Sequence, residues 1–276
     1  MMGKLYICAT PIGNMEDVSI RLLKTLRQVD MIACEDTRHT LKLLNRYKIK
    51  KQLISYHEHS KPEKEDYIIE LLREGKDIAL VSDAGMPAIS DPGENLVKKA
   101  ISAGIVLEVI PGPSALIAAL AISGMDTTAF VFEGFLPSRS SQRRERLEKL
   151  KEETRTIILY EAPHRLLACL KDIQSILGEE RQLAVARELT KVYEEVKRGS
   201  AAELYEYYSL NPPRGEISII IEGKEVVVEA KSLTEIIREV EELLEQGMDK
   251  KEAFKTKARE YGIKKSMLYN YFVKSK

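Results

Sequence analysis

The stretch richest in reactive and backbone-exposing residues is Ser82-Asp83-Ala84-Gly85-Met86-Pro87-Ala88-Ile89-Ser90-Asp91-Pro92-Gly93. It holds two aspartates, two glycines and two prolines. Glycine lets a backbone approach a ligand closely, and proline holds the loop in shape. A plain turn, with Asp91 capping a helix at Pro92, would need only a third of these residues. Two more such loops, Ala9-Thr10-Pro11-Ile12-Gly13-Asn14 and Pro111-Gly112-Pro113-Ser114-Ala115, complete a set of three. Arg38, His39, Arg165, Arg187 and Lys191 are suited to phosphate. So is the run Arg139, Arg143, Arg144, Arg146, Lys149 and Lys151, whose bland reading is a solvated helix face. The glycine fingerprints of dinucleotide and nucleoside-triphosphate sites are absent, as are H-E-x-x-H and Gly-x-Ser-x-Gly. The commonest nucleotide, zinc and serine-nucleophile chemistries lose their support.

Each loop follows an apolar run of strand length: Leu5–Cys8, Ile78–Val81 and Ile105–Ile110. Further strands are expected at Met31–Cys34 and Leu53–Tyr56, the latter ending in His57-Glu58-His59. Helical spacing of Val18, Leu22, Leu26 and Val29 predicts a helix with Asp17 as cap, and helices over 64–74 and 94–103 stop at Gly75 and Gly104. This alternation is that of an α/β domain with a mainly parallel sheet, whose strand ends form a ligand crevice. Pro111–Pro113 reads as a hinge. Beyond it come a small-residue helix (114–124), strands at 129–132, 156–160, 183–186, 193–196 and 217–221, and a helix at 165–177. Antiparallel pairing of the last two strands gives a mixed sheet. From Ser232 onward the pattern is helical only, with nine Lys and Arg against three acids between Asp249 and Lys276. That spacing suits a helix-turn-helix or a small capping bundle. The expected division is 1–112, 113–228 and 229–276.

The 276 residues carry equal numbers of acids and bases, 43 each, so no global field attracts nucleic acid or membrane. The longest apolar stretch, Ala115 to Met125, is too short to span a bilayer, and no leader pattern opens the chain. A cytoplasmic protein is expected. Cys8, Cys34 and Cys169 are isolated and read as small core residues rather than thiol or zinc chemistry.

Seven motifs occur in order between Leu5 and about Glu222. They are Thr10-Pro11-Ile12-Gly13-Asn14, Glu35-Asp36-Thr37-Arg38, Ser82-Asp83-Ala84-Gly85-Met86-Pro87, Pro111-Gly112-Pro113-Ser114, Glu133-Gly134-Phe135-Leu136-Pro137, Tyr160-Glu161-Ala162-Pro163-His164-Arg165 and Ala186-Arg187-Glu188-Leu189-Thr190-Lys191. Together they resemble the small-subunit ribosomal RNA cytidine 2′-O-methyltransferases (RsmI type) of the tetrapyrrole methylase superfamily. Met86 departs from the threonine usual there, which loosens that loop's polar contacts. The resemblance implies two α/β domains with S-adenosylmethionine in the cleft between them, S-adenosylhomocysteine as product, no metal, and a homodimer. Carried onto this chain, the cofactor touches Pro11, Asp83, Ala84, Gly85, Pro87, Pro111, Gly112, Ser114, Ala115, Tyr160, Ala186 and Gly215. The partner is 16S ribosomal RNA in the small subunit, methylated on a cytidine ribose at the decoding centre. Arg38, His39, Arg143, Arg144, His164, Arg165, Arg187 and Lys191 are the candidates for its phosphates.

In such a reaction a methyl passes in line from a sulfonium to an oxygen, and alignment of donor and acceptor can supply about 7–11 kcal/mol. A ribose hydroxyl is a weak nucleophile, and a nearby base helps by roughly 10²–10⁴-fold. Glu35, Asp36, His57, Glu161 and Glu188 stand at strand ends. Glu35 and Asp36 are favoured, because they follow the second strand directly; the competing reading is an ion pair with Arg38 or Arg187. Charge reversal at Arg143 and Arg144 is expected to weaken RNA binding and spare cofactor affinity. Two other functions share the scaffold or its surface: methylation of a tetrapyrrole precursor, and non-enzymatic nucleotide or RNA binding with a helix-turn-helix tail.

Overall fold

Five short apolar strands, each followed by a helix, build the first half of the chain. They are β1 (Lys4–Cys8), β2 (Met31–Cys34), β3 (Gln52–Ser55), β4 (Ile78–Val81) and β5 (Val106–Ile110), joined by α1 (Ile20–Gln28), α2 (Thr37–Arg46), α3 (Pro62–Arg73) and α4 (Glu94–Ser102). The computed structural model describes residues 2–57, 60, 62–225 and 232–274. Glu58 and His59, expected to end the third strand's motif, and the expected boundary at 228/229 lie outside the described residues.

All five strands run parallel in the order β3-β2-β4-β1-β5. Alternation along each strand sends Leu5, Ile7, Ile78 and Leu80 to a core with Ile68, Leu72 and Leu96 from α3 and α4. Cys8, Ile32, Cys34, Ala79 and Val81 face Leu22, Leu26, Leu43 and Leu44 from α1 and α2. Connections from β1 and β4 therefore leave on opposite faces and toward opposite edges, which opens a crevice between these adjacent strands at their carboxyl ends. The three glycine/proline loops follow β1, β4 and β5, the three neighbouring strands at that edge.

Local details correct several expectations. Ser19, not Asp17, caps α1, its hydroxyl accepting the Leu22 N–H at 3.0 Å. Asp17 closes a 3₁₀ turn that the helical spacing did not anticipate. Asp91 does not cap α4: the cap position is Gly93, with no side-chain hydrogen bond. The buried thiols of Cys8 and Cys34 are core groups, and burial pushes both thiols up, Cys8 to about 12.

The second sheet comprises β6 (Phe130–Phe135), β7 (Thr156–Glu161), β8 (Gln182–Arg187), β9 (Glu195–Ser200) and β10 (Ile217–Ile221), in the order β6-β7-β10-β8-β9. Only β6 and β7 pair in parallel, so the sheet is mixed, as the sequence suggests. One face carries α5 (Ala115–Ser123), which packs Ala119 and Leu120 on Ile158, Ala184 and Ile220. The other carries α6 (Ser140–Leu150), α7 (Leu166–Leu177) and α8 (Ala201–Leu210). The strand expected at 193–196 begins two residues later, because Glu188 to Glu194 is folded into turns by backbone bonds from Lys191 to Glu188 and from Glu194 to Lys191. Helix α8 had no counterpart in the sequence reading; a Ser200–Glu203 capping box starts it.

The chain forms two compact units, Met1–Lys224 and Glu225–Lys276. In the second, α9 (Leu233–Glu245), α10 (Lys250–Glu260) and α11 (Lys265–Lys274) enclose Ile236, Val240, Phe254, Leu268 and Phe272. Among the described residues no helix is long and apolar enough to cross a membrane.

Candidate active site

The loops that follow the first sheet's strands and the strand ends of the second sheet line one cavity of about 340 Å³, within the usual size range of small-molecule sites. From the first half come Ile12, Ala84, Gly85, Met86, Asp91, Ser114 and Ala115. From the second come Phe135, Tyr160, Glu161, Ala186, Leu189, Gly215, Glu216, Ile217 and Ser218. A smaller cavity of about 160 Å³ adjoins it, sharing Ile12, Ala84 and Glu216 and adding Pro11, Asp83, His39 and Lys191.

The loops that make these walls are clasped to one another. Thr10 and Gly85 exchange both backbone hydrogen bonds, at 2.8 and 3.1 Å, and the Thr10 hydroxyl donates to the Ser82 carbonyl. Gly85 has φ +78°, a left-handed conformation that a side chain would strain. Ala88 and Ser90, at φ 67° and 59°, adopt it without being glycine, as do Glu188 and Thr190 at 51° and 65°. Each such residue costs of order 1–3 kcal/mol, and strain of this kind concentrates at ligand sites. The first loop also grips the second sheet: the Asn14 N–H donates to the Thr190 hydroxyl at 2.9 Å. A Cβ built on Gly13 would lie 2.8 Å from that hydroxyl and 3.1 Å from the Leu189 carbonyl oxygen. Tyr160 makes a second tie, its hydroxyl accepting the Leu116 N–H at 3.0 Å. Its ring packs against Phe132 and Phe135, and burial raises its hydroxyl to about 12.

Three carboxylates reach the larger cavity. Glu161 is buried and held by Arg165 (Nε to Oε1 3.0 Å), and Glu216 by Lys191 at 3.0 Å. Asp91 makes no ion pair among the described residues. Burial first, and then the Glu35 charge, push it up to about 7, against the pull of the Ser82 hydroxyl. A carboxyl poised near neutrality, facing a cavity, is the expected form of a proton acceptor.

Of the cofactor positions read from the sequence, Ala84, Gly85, Ser114, Ala115, Tyr160, Ala186 and Gly215 line the larger cavity. Pro11 and Asp83 line the smaller one, whereas Pro87, Pro111 and Gly112 line neither. The favoured bases are displaced. Neither Glu35 nor Asp36 lines either cavity. Asp36 caps α2 through the Arg38 N–H and binds the Arg38 guanidinium at 2.8 Å, which lowers its carboxyl to about 2 and makes it a poor base. Of the other base candidates, Glu188 binds Lys191 at 2.9 Å, and His57 lines neither cavity.

The basic candidates separate sharply. Arg143 is not on a solvated face: it is 5% exposed and bound to Asp172 at 2.7 Å. Arg144 reaches the same carboxylate at 2.9 Å, and Arg146 binds Glu133. Charge reversal at Arg143 therefore breaks a buried pair and tests folding, not RNA contact. Arg165, Arg187 and Lys191 are tied to Glu161, Glu195 and Glu188. Arg38, His39 and His164 are exposed. From the sequence, Asp91 belongs to the dense ligand loop with a helix cap as its competing role and no catalytic role of its own, and Glu216 is not singled out; the signal for Asp91 is its place in the same loop as Asp83.

The cavity suits a ligand with a flat ring. Phe135 and Tyr160 offer aromatic walls, and Ala84, Ala115 and Ala186 small ones that permit close approach. The profile of the Tetrapyrrole (Corrin/Porphyrin) Methylases matches residues 4–205. A curated protein of Thermotoga maritima named Ribosomal RNA small subunit methyltransferase I is 51% identical over 224 residues, 81% of this chain and 100% of its own. Proteins of the same name from Synechocystis and Bacillus subtilis are 46% and 44% identical over 97% and 98% of this chain and 96% and 94% of theirs. Among solved structures, a cobalt precorrin-4 methyltransferase superposes with TM-score 0.63 at 20% identity, over 79% of this chain and 94% of its own. The uroporphyrin-III-C-methyltransferase of Thermus thermophilus gives 0.57 at 20% identity, over 79% and 94%. These last two are likenesses of fold.

Proposed function

Because the chain belongs to the ribosomal RNA small subunit methyltransferase I family, within the tetrapyrrole methylases, we propose that it methylates a cytidine ribose 2′-hydroxyl of 16S ribosomal RNA at the decoding centre. The carrying observation is the cavity lined by the loops of the first sheet and the strand ends of the second, with the Asp91 carboxyl facing it. S-adenosylmethionine supplies an electrophilic methyl group on a sulfonium cation and leaves as S-adenosylhomocysteine. Phe135 and Tyr160 would flank its flat ring, and the small walls at Ala84, Ala115 and Ala186 would admit it closely. Asp91 accepts the proton released as the ribose oxygen forms its bond to carbon. The reaction so written requires no metal ion.

Two further assignments belong to this reading. A ribosomal substrate implies a cytoplasmic location. The active form is a homodimer through α5 and β5. Helix α5 is apolar all round, yet Ile117 and Ile122 are 51% and 40% exposed, and Val106 and Val109 are exposed on the edge strand β5. A helix apolar on every face is normally covered.

The reading is tested by offering labelled S-adenosylmethionine with either small ribosomal subunits lacking the modification or a tetrapyrrole precursor. Label in RNA is expected. Label only in the tetrapyrrole would assign the scaffold to its other known acceptor class.

A further inference from the structure

A third depression, of about 610 Å³, is lined by Arg187, Tyr193, Tyr207, Tyr208, Asn211 and Arg214 among others. Two of these residues join it to the active site. Arg187 directly follows Ala186, and Arg214 directly precedes Gly215, and both Ala186 and Gly215 line the cavity. The two hollows thus meet at one end of the second sheet from its opposite faces, since residues along β8 alternate, Ala184 and Ala186 packing toward α5 and Leu183 and Val185 toward α8.

Its chemistry is that of a stacking platform with cations. Tyr193 is 72% exposed, with Val192 and Leu210 more exposed still. Tyr207 stands edge-on to Tyr208, ring centroids 5.0 Å apart, and Lys197 Nζ lies 4.6 Å from its ring centre. Tyr208 is 1% exposed, and its buried hydroxyl has no hydrogen-bond partner among the described residues. Arg214 is exposed and makes no ion pair among the described residues. Pro212 and Pro213 stiffen the segment that presents it. Unstacked RNA bases bind on aromatic rings while arginines take the phosphates.

Resting on the RNA reading above, we propose that this groove receives the nucleotide next to the target ribose, its base on Tyr193 and its phosphate at Arg214. The site would hold the strand splayed, so that the target ribose enters the cavity alone. An acidic protein surface or a second copy of the chain would use the exposed Val192, Tyr193 and Leu210 instead, and the test separates these occupants.

Tyr193→Ala, Tyr193→Phe and Arg214→Glu are compared with the wild type in steady-state transfer to small subunits, calorimetry with S-adenosylmethionine, and sedimentation. Photo-crosslinking of 4-thiouridine-substituted small-subunit RNA to the intact protein gives a readout independent of transfer. Tyr193→Ala and Arg214→Glu are expected to raise KM for subunits about fivefold or more. Tyr193→Phe keeps the ring and stays near wild type, and donor affinity changes less than twofold in all three. Crosslinks fall on the peptides bearing Tyr193 or Tyr207. Unchanged KM in both variants, with crosslinks elsewhere, would overturn the proposal, as would a variant that sediments as a smaller species. Crosslinks at the groove from a wild type that transfers no label to RNA would uphold the groove while refuting the transfer reading.

Discussion

In the proposed reaction the Asp91 carboxyl, which lines the cavity, accepts the proton of the attacking hydroxyl. Its environment pushes it up to about 7 from an ordinary carboxyl near 3.8. Asp91→Asn should therefore lower kcat by about 10²-fold or more with donor affinity nearly unchanged. In the wild type, transfer rate should rise with pH through about 7 and level above it, since the base works ionised. Stability runs the other way. Between about pH 4 and 7 the folded chain holds a proton on Asp91 that the unfolded chain has lost, so this group's contribution falls as pH rises through that window. Asp91→Asn should raise Tm more at pH 8 than at pH 5, which paired thermal scans would check. Arg143 belongs to folding. Arg143→Ala leaves Asp172 buried with only the half-exposed Arg144, and should cost about 3 kcal/mol in denaturant unfolding. Neither role was legible from residue type: a cap, a base and a core ion pair are written with the same letters, and only burial tells them apart.

At the scale of elements, the loops were the most legible part. Their glycines and prolines mark close backbone approach, and the structure puts all three after neighbouring parallel strands. Gly13 shows what the composition encodes. Its missing side chain lets the first loop lie against Leu189 and Thr190 of the turns that follow β8. Gly13→Val should force that junction apart and weaken S-adenosylmethionine binding tenfold or more by calorimetry, while lowering Tm only modestly. The same region misled the strand assignment. Tyr193–Val196 has β-forming residues, but the turns from Glu188 to Glu194 use up that segment's backbone bonds, and pairing begins at Glu195. Helix α8 escaped notice because its tyrosines, Tyr205, Tyr207 and Tyr208, suit strand and helix alike. Local propensity yielded there to tertiary packing.

For the molecule as a whole, alternation of strand and helix revealed both α/β halves, and the seven ordered motifs carried the family. The exposure of Ile117 and Ile122 on α5 and of Val106 and Val109 on β5 was hidden, since a buried and an exposed apolar residue look alike in sequence. Ile117→Lys with Ile122→Lys should shift the protein toward monomer in analytical ultracentrifugation without unfolding it; an unchanged mass would remove the dimer assignment. The central claim concerns the acceptor atom. Small subunits from a strain lacking this protein should be labelled by it with S-adenosyl-[methyl-³H]methionine, and the RNA then digested to nucleosides. The label is predicted to appear in 2′-O-methylcytidine; label on a cytosine ring carbon or nitrogen would contradict the account.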